Sequence, residues 1–495
     1  MNLVNGYQNI NPMKHLLLTL TMLIGIQPLW SRADERPNVV VFLVDDMGLM
    51  DTSVPFLADE HGKPATHPLN KYYQTPNMEA LAKQGIRFET FYAKSVCSPS
   101  RVSLMTGQSS ARHGTTTWIN PTKRNKGPGD WNWKGLDGRS VTLPRLLQGS
   151  GYRTIHIDKA HMGPVRSEGA DPVKLGFDVN VAGSAIGRPK SYSGQSSYGK
   201  GDLRQPPHLE AYHGTDTHLS DALTIEACKA VDAAVAQGRP FYLNMWHYAV
   251  HSPYQPDPRF IGKYDDALGQ NMPAFASLIE GMDKSLGDLL AHLNKIDQAE
   301  NTLIFFLGDN GSAAPVTGDK HGIISSAPLR GKKGSHYEGG MRVPFIAAWA
   351  KVNLDHPLQR QFPVAQNAIT TTAFATIEDL MPTVLALTGT DAPEAHVMDG
   401  INILPALAKA DTPTGRHHFL MHFPHRHCSS NFTAYREEEW KITRHYDSGT
   451  LELFDLTSDP TESSDLSRTR PERLRAMQAA MQKRLDDAEA LYMEK

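Results

Sequence analysis

The chain has 495 residues and a formal net charge of −3, with a sequence pI near 6.7. At about 100 to 200 residues per domain, that length holds a large core with appended structure. The near-neutral balance excludes a global electrostatic case for nucleic-acid binding, which would need a local basic patch. The three cysteines, Cys97, Cys228 and Cys428, are too few for a disulfide scaffold, and an odd count leaves at least one unpaired.

At the N-terminus, Lys14 and His15 precede an apolar run from Leu16 to Ile26, with Ser31 and Ala33 further on. The run is well short of the roughly 20 apolar residues of a membrane span and reads as a signal peptide over residues 1–33. An exported protein, periplasmic or secreted, with no stable membrane anchor, is expected. NVVVFLVDDMG then reads as a buried parallel strand ending in Asp45 and Asp46. The segment from Thr75 to Gly85 is a predicted helix, with Thr75 as its cap, Pro76 at its first position and Gly85 as its stop. IRFETFYA is a strand, SPSRVSLMTG and TLPRLLQGSG are helices, and YRTIHID is a strand. The segments 217–238 and 272–296 are helices that feed the strands PFYLNMWHY and NTLIFFLGDNG.

This alternation predicts an α/β fold, a large mostly parallel sheet covered by helices on both faces, over residues 34–385. Ligands in such sheets bind outside the carboxyl ends of the strands. Those ends carry Asp45 and Asp46, His247 and His251, and Asp309 with Asn310. From about Asp379 the texture changes to HHFLMHFPH, TAYREEEWKITRHY and TLELFDL, short strands followed by an amphipathic helix. A smaller subdomain of antiparallel sheet and terminal helix is predicted over residues 386–495. Long loops are expected near 59–73, 120–139 and 184–207, and loops of such length are often functional.

Two patterns carry chemistry. Asp45, Asp46, Asp309 and Asn310 offer hard oxygen donors that suit calcium or magnesium. Cys97 stands just before a predicted helix start in CSPSRVSLMTG, with Pro99 early in the helix and Arg101 adding positive charge. On chemistry alone it reads as a thiolate nucleophile of depressed pKa or as an inert buried thiol.

CSPSR followed by Leu104, Thr106 and Gly107 resembles the signature of the type I, formylglycine-dependent sulfatases, Cys-x-Pro-Ser-Arg-x-x-Leu-x-Thr-Gly. VDDMGLMD, DKAHMG, VHSP, LGDNG and LRGKKGSHYEGGMRVPFI resemble further segments of that family. The resemblance implies that a maturation enzyme oxidises Cys97 to 3-oxoalanine (Cα-formylglycine). It further implies one calcium ion per chain held by Asp45, Asp46, Asp309, Asn310 and residue 97. The hydrated formylglycine would attack sulfur and form a covalent sulfo-enzyme. Arg101, Lys159 and Lys333 would stabilise sulfuryl oxygens, His251 with Lys333 would protonate the leaving alcohol, and His161 would assist release of sulfate. His425 is a candidate substrate contact, whereas His247 reads as structural. Gln108, Asp158, Ala160, Thr52 and Ser53 depart from the family pattern, but the charged residues are kept.

The resemblance to bacterial polysaccharide sulfatases implies a sulfated carbohydrate substrate. Trp118, Trp131 and Trp133, with Lys123, Arg124, Lys126 and Lys134, suit sugar stacking and an anionic glycan, as they suit ordinary loop packing. ARHGTTTWINP resembles exo-acting sulfatases of galactose or N-acetylgalactosamine 4-sulfate. Alternative readings are a phosphomonoester or phosphonate hydrolase of the same superfamily, and a non-catalytic binder of sulfated glycans.

Overall fold

The structure, a computed structural model, describes residues 36–122, 125, 134–316, 325–425 and 431–491. The expected leader, Cys428, and Lys123, Arg124, Lys126, Trp131 and Trp133 lie outside these residues. Strands β1 (Asn38–Val44), β2 (Ile86–Tyr92), β3 (Arg153–Asp158), β4 (Val179–Val181), β5 (Phe241–His247), β6 (Thr302–Gly308), β7 (Phe345–Trp349) and β8 (Ala368–Thr376) build one sheet. Their order is β4-β3-β5-β1-β6-β7-β2-β8. β1 pairs in parallel with β5 and β6, while β7 runs antiparallel to both β6 and β2.

The two faces of the sheet follow from the period-two alternation of β1. Val40, Phe42 and Val44 face a core shared with the helices Leu219–Ala236 and Met272–Lys295. Val39, Val41 and Leu43 face a second core with Val102, Leu104 and Met105 of the helix Cys97–Thr106. Both faces are covered, which is why β1 reads as an unbroken apolar run. The helix Leu380–Thr388 and residues through Leu407 also pack on this second core.

Strands β9 (His418–Phe423), β10 (Phe432–Glu437), β11 (Trp440–His445) and β12 (Leu451–Asp455) form an antiparallel sheet in the order β12-β11-β10-β9. TAYREEEWKITRHY is a hairpin across this sheet, its turn made possible by Glu438 in the left-handed region at φ 51°. One face takes Met477, Met481 and Leu485 of the terminal helix Pro471–Asp487. The other packs Phe419, Met421 and Phe423 against Tyr92, Val96 and Phe374 of the large sheet's layer.

One expectation changes in detail. Thr75 precedes the helix Pro76–Gln84, but its hydroxyl makes no cap hydrogen bond and instead contacts Thr52 and Ser53. The free N–H groups of Asn77 and Met78 donate to the carboxylate of Asp283, 206 and 205 residues away.

Candidate active site

Parallel pairing brings several strand ends to one edge. Val44 lies opposite His247 on one side and Gly308 on the other, so the segments after β1, β5 and β6 meet. The ladder continues past the strand ends: Asp309 N donates to Val44 O, and Lys159 N to Trp246 O. β2 delivers the helix Cys97–Thr106 to the same edge. Cys97 is the first helical residue rather than the one before it, with Val96 as the N-cap. The unpaired N–H groups of that first turn favour an anion beside residue 97.

Three carboxylates, those of Asp45, Asp46 and Asp309, offer oxygens within 4.8 Å of one another. Each is tied to a cation. Lys159 Nζ donates to Asp45 Oδ2 at 2.6 Å, Lys333 Nζ to Asp46 Oδ1 at 2.5 Å, and Arg101 Nε and Nη2 to Asp309 Oδ2 at 3.0 and 2.8 Å. Arg101 and Lys159 are fully buried beneath the site. Asn310 Nδ2 donates to Asp46 Oδ1 at 3.0 Å. Burial, reinforced by Asp309 and Asp46, pushes Asp45 well up despite Lys159. For Asp46, Lys333 and His251 outweigh burial and hold the carboxyl below its usual range. For Lys333, burial is outweighed by Asp46 together with Cys97 and Asp45, which keeps the ammonium charged.

The donor set fits a hard divalent cation. Asp45 Oδ1 and Asn310 Oδ1 are buried acceptors without a hydrogen bond among the described residues, and an unpaired buried oxygen costs free energy unless a ligand satisfies it. The donors are all oxygens, as calcium prefers.

Cys97 Sγ lies 3.4 Å from His161 Nδ1. The other ring nitrogen, Nε2, is 2.6 Å from the carbonyl of Ile119 and must donate, so Nδ1 is the acceptor facing residue 97. Burial and then Lys159 push His161 well below its ordinary value, which keeps it neutral. Burial likewise pushes the Cys97 thiol up, against Lys159 and Lys333. Of the two readings of the thiol, this burial favours the unactivated one, because the desolvation of this floor position outweighs its cationic neighbours. His251 Nδ1 donates to Ser252 O at 3.0 Å, and Nε2 stands 3.6 Å from Asp46 Oδ2. Burial pushes His251 down to about 3 despite the pull of Asp46.

Above this floor opens a cavity of about 300 Å³ lined by Cys97, His161, His251 and Lys333, by Trp118 and Pro121, and by Gly187, Arg188 and Arg204. His425 is not among its lining residues; its Nε2 is 2.5 Å from Thr116 Oγ1. His247 is buried against Ser285 Oγ at 3.0 Å, in keeping with a structural role. Three residues at the site, Asp46, Asp158 and His161, hold positive φ of 62°, 85° and 53°. Non-glycine residues adopt that region rarely, and such strain clusters at functional sites. Sequence reasoning missed Ser98, which links His161 O to Ile119 N. It also missed Gly187, Arg188 and Arg204, for which the long loop 184–207 was the one signal.

The chain matches the profile described as Sulfatase over residues 37–390 and one described as N-sulphoglucosamine sulphohydrolase, C-terminal, over residues 333–490. It belongs to the sulfatase family and is a sulfuric ester hydrolase. It is 29% identical over 423 residues to N-acetylgalactosamine-6-sulfatase of Mus musculus, covering 80% of this chain and 70% of that one. A sulfatase of Formosa agariphila is 25% identical, covering 92% of this chain and 88% of its own. Among solved structures, Ps i-CgsB in complex with k-i-k-neocarrahexaose aligns with a TM-score of 0.71 at 25% identity, covering 93% of this chain and 95% of that one.

Proposed function

We propose that this enzyme is exported, by way of residues 1–33, and cleaves sulfate monoesters on a galactose-type carbohydrate after a maturation enzyme has converted Cys97 to formylglycine. The observation that carries the reading is Cys97 itself, at a helix start on the cavity floor, with His161 Nδ1 at 3.4 Å and the acidic cluster behind it. The named activity of the N-acetylgalactosamine-6-sulfatase relative and the oligosaccharide in the Ps i-CgsB complex support a carbohydrate.

Formylglycine supplies, as its hydrate, a nucleophilic hydroxyl that a thiol of raised pKa does not. Asp45, Asp46, Asp309 and Asn310 would hold a calcium ion, which as a Lewis acid supplies charge stabilisation for the sulfuryl oxygens. The chain's own residues do the rest. The first turn of the helix Cys97–Thr106 orients the sulfate through its free N–H groups. Lys333, protonated and facing the cavity, binds a sulfuryl oxygen and delivers a proton to the departing alkoxide, while neutral His251, its Nδ1–H held by Ser252 O, stands beside it as a hydrogen-bond acceptor. His161 Nδ1, its lone pair fixed toward residue 97 by the Ile119 bond, takes a proton from the group at that position. Arg101 and Lys159, buried under the cavity, position Asp309 and Asp45 rather than touch the ester. His425 stands outside the described lining and is bonded to Thr116.

The test is mass spectrometry of the peptide holding residue 97, paired with sulfate release from galactose and N-acetylgalactosamine sulfated at the 4- or 6-position. Formylglycine with release from either ester supports the reading, and release from the 6-position alone removes the 4-sulfate assignment. A Cys97→Ala chain is expected to lose sulfate release by on the order of a thousandfold or more, and full activity in that variant would overturn the assignment. Calcium is expected to raise the melting temperature and a chelator to lower it, since binding to the folded state alone stabilises it. An unchanged melting temperature under both would refute the metal assignment.

A further inference from the structure

We propose that Arg188 and Arg204 form a second anion site at the cavity rim, so that the substrate carries another sulfate or a carboxylate beside the ester that is cut. This rests on the sulfate-ester reading above and extends it to the sugar's other substituents.

Both guanidiniums line the same cavity as Cys97, His251 and Lys333, but they come from a different part of the fold, the long loop after β4. Its two limbs are pinned together where Lys190 N donates to Arg204 O at 3.0 Å. They are also anchored to the His251 segment. Tyr192 N donates to Gln255 Oε1 at 2.8 Å, and the Tyr192 hydroxyl lies 2.7 Å from His251 O. The arginines are thus held by built structure rather than by a free loop, which lowers the ordering cost of binding.

Their charges are compensated unequally. Arg204 gives Nε and Nη2 to Asp202 at 2.9 and 3.0 Å, which fixes the plane of the guanidinium and leaves Nη1 without a hydrogen bond among the described residues. Arg188 Nη1 donates to Ser252 Oγ at 3.1 Å, and no described carboxylate pairs with it. The cavity's own acids, Asp45, Asp46 and Asp309, lie beneath the floor and are already matched to Lys159, Lys333 and Arg101. The rim therefore carries net positive charge in a place that the reacting sulfate, seated on the helix start at buried Cys97, does not neutralise. Trp118 and Pro121 supply an apolar wall for a sugar ring. A ring on that wall, with one sulfate at the floor, presents a neighbouring anionic substituent to the rim. Guanidinium is the group suited to bidentate recognition of sulfate or carboxylate.

The test measures binding by calorimetry to the full-length Cys97→Ser chain, with two matched probe pairs. One pair is N-acetylgalactosamine 6-sulfate against its 4,6-disulfate; the other is a monosulfated disaccharide with a free glucuronate against the same disaccharide as its methyl ester. The doubly anionic member of at least one pair is expected to bind about tenfold tighter, and the pair that responds identifies sulfate or carboxylate as the second anion. Arg188→Ala and Arg204→Ala are each expected to remove about threefold of that preference and the double variant all of it, and raised salt to shrink it. Equal binding within both pairs, or a preference that survives the double variant, would overturn the second anion site. Absent sulfate release by matured wild type, alongside arginine-dependent binding in the Cys97→Ser chain, would instead sink the hydrolase reading alone.

Discussion

Gly187 shows how tightly single residues set this site. A Cβ at that position would stand 2.7 Å from His161 Cε1, closer than carbon atoms tolerate, so the imidazole or the loop must give way. His161 is held between Ile119 O and residue 97, and a displacement approaching 1 Å misaligns its lone pair. Gly187→Ala is expected to lower kcat roughly tenfold to a hundredfold with little change in melting temperature. A kcat equal to wild type would show that the ring has room to move. The motif CSPSR made residue 97 legible before any coordinates. The direction of the His161 lone pair was not legible, because it depends on a carbonyl that arrives from residue 119.

Among the elements, β9 carries a histidine whose burial has a pH consequence. His422 sits in the small sheet with Nδ1 2.7 Å from Thr433 Oγ1 and Nε2 2.7 Å from Leu491 O. Burial lowers its pKa to about 4 despite the Leu491 carbonyl. Unfolded, the ring takes a proton near pH 6.5; folded, it refuses one until about 4. As pH falls between those values the unfolded chain binds more protons, so this group's contribution to stability is lost on the acid side. His422→Asn removes that loss. The stability gap between wild type and variant, read from urea midpoints, is expected to narrow by about 3 kcal/mol from pH 7 to pH 4. A gap independent of pH would contradict this account.

For the whole molecule, the contact between the two sheets is organised around a buried charge cluster as well as apolar packing. Lys441 Nζ on β11 lies 2.9 Å from Glu338 Oε1 and 2.7 Å from Glu462 Oε1. Glu338 also accepts from the Tyr92 hydroxyl at 2.7 Å, at the end of β2. Glu338 follows closely on Lys333, so the cluster connects the small sheet to the segment that supplies a cation to the cavity. Lys441→Met would leave Glu462 buried without its cation and Glu338 paired, among the described residues, with only Arg342 at 3.8 Å, a cost of about 3–5 kcal/mol. The variant is expected to unfold at a correspondingly lower denaturant midpoint. Glu338→Gln in the same background is expected to recover part of the loss by removing one of the stranded charges. No recovery would place the cost in packing instead.

What the sequence by itself determined follows from local rules. Apolar runs of strand length, helical periods between them and acids at their ends specify a parallel layer and the edge where chemistry gathers. Asp45, Cys97, Lys159, His251 and Asp309 were legible on that basis or through family-like segments. Tertiary structure decided what depends on partners distant in the chain. Asp283 rather than Thr75 satisfies the start of the helix Pro76–Gln84. The antiparallel insertion of β7 between β6 and β2 left no mark in local pattern, since a short buried strand reads alike in either direction. Burial decided between the two readings of the Cys97 thiol by pushing its pKa up, because desolvation is set by everything packed around a group and not by its neighbours in sequence. Arg188 and Arg204 became a pair for the same reason: their 16-residue separation says nothing until Lys190 and Arg204 close the loop.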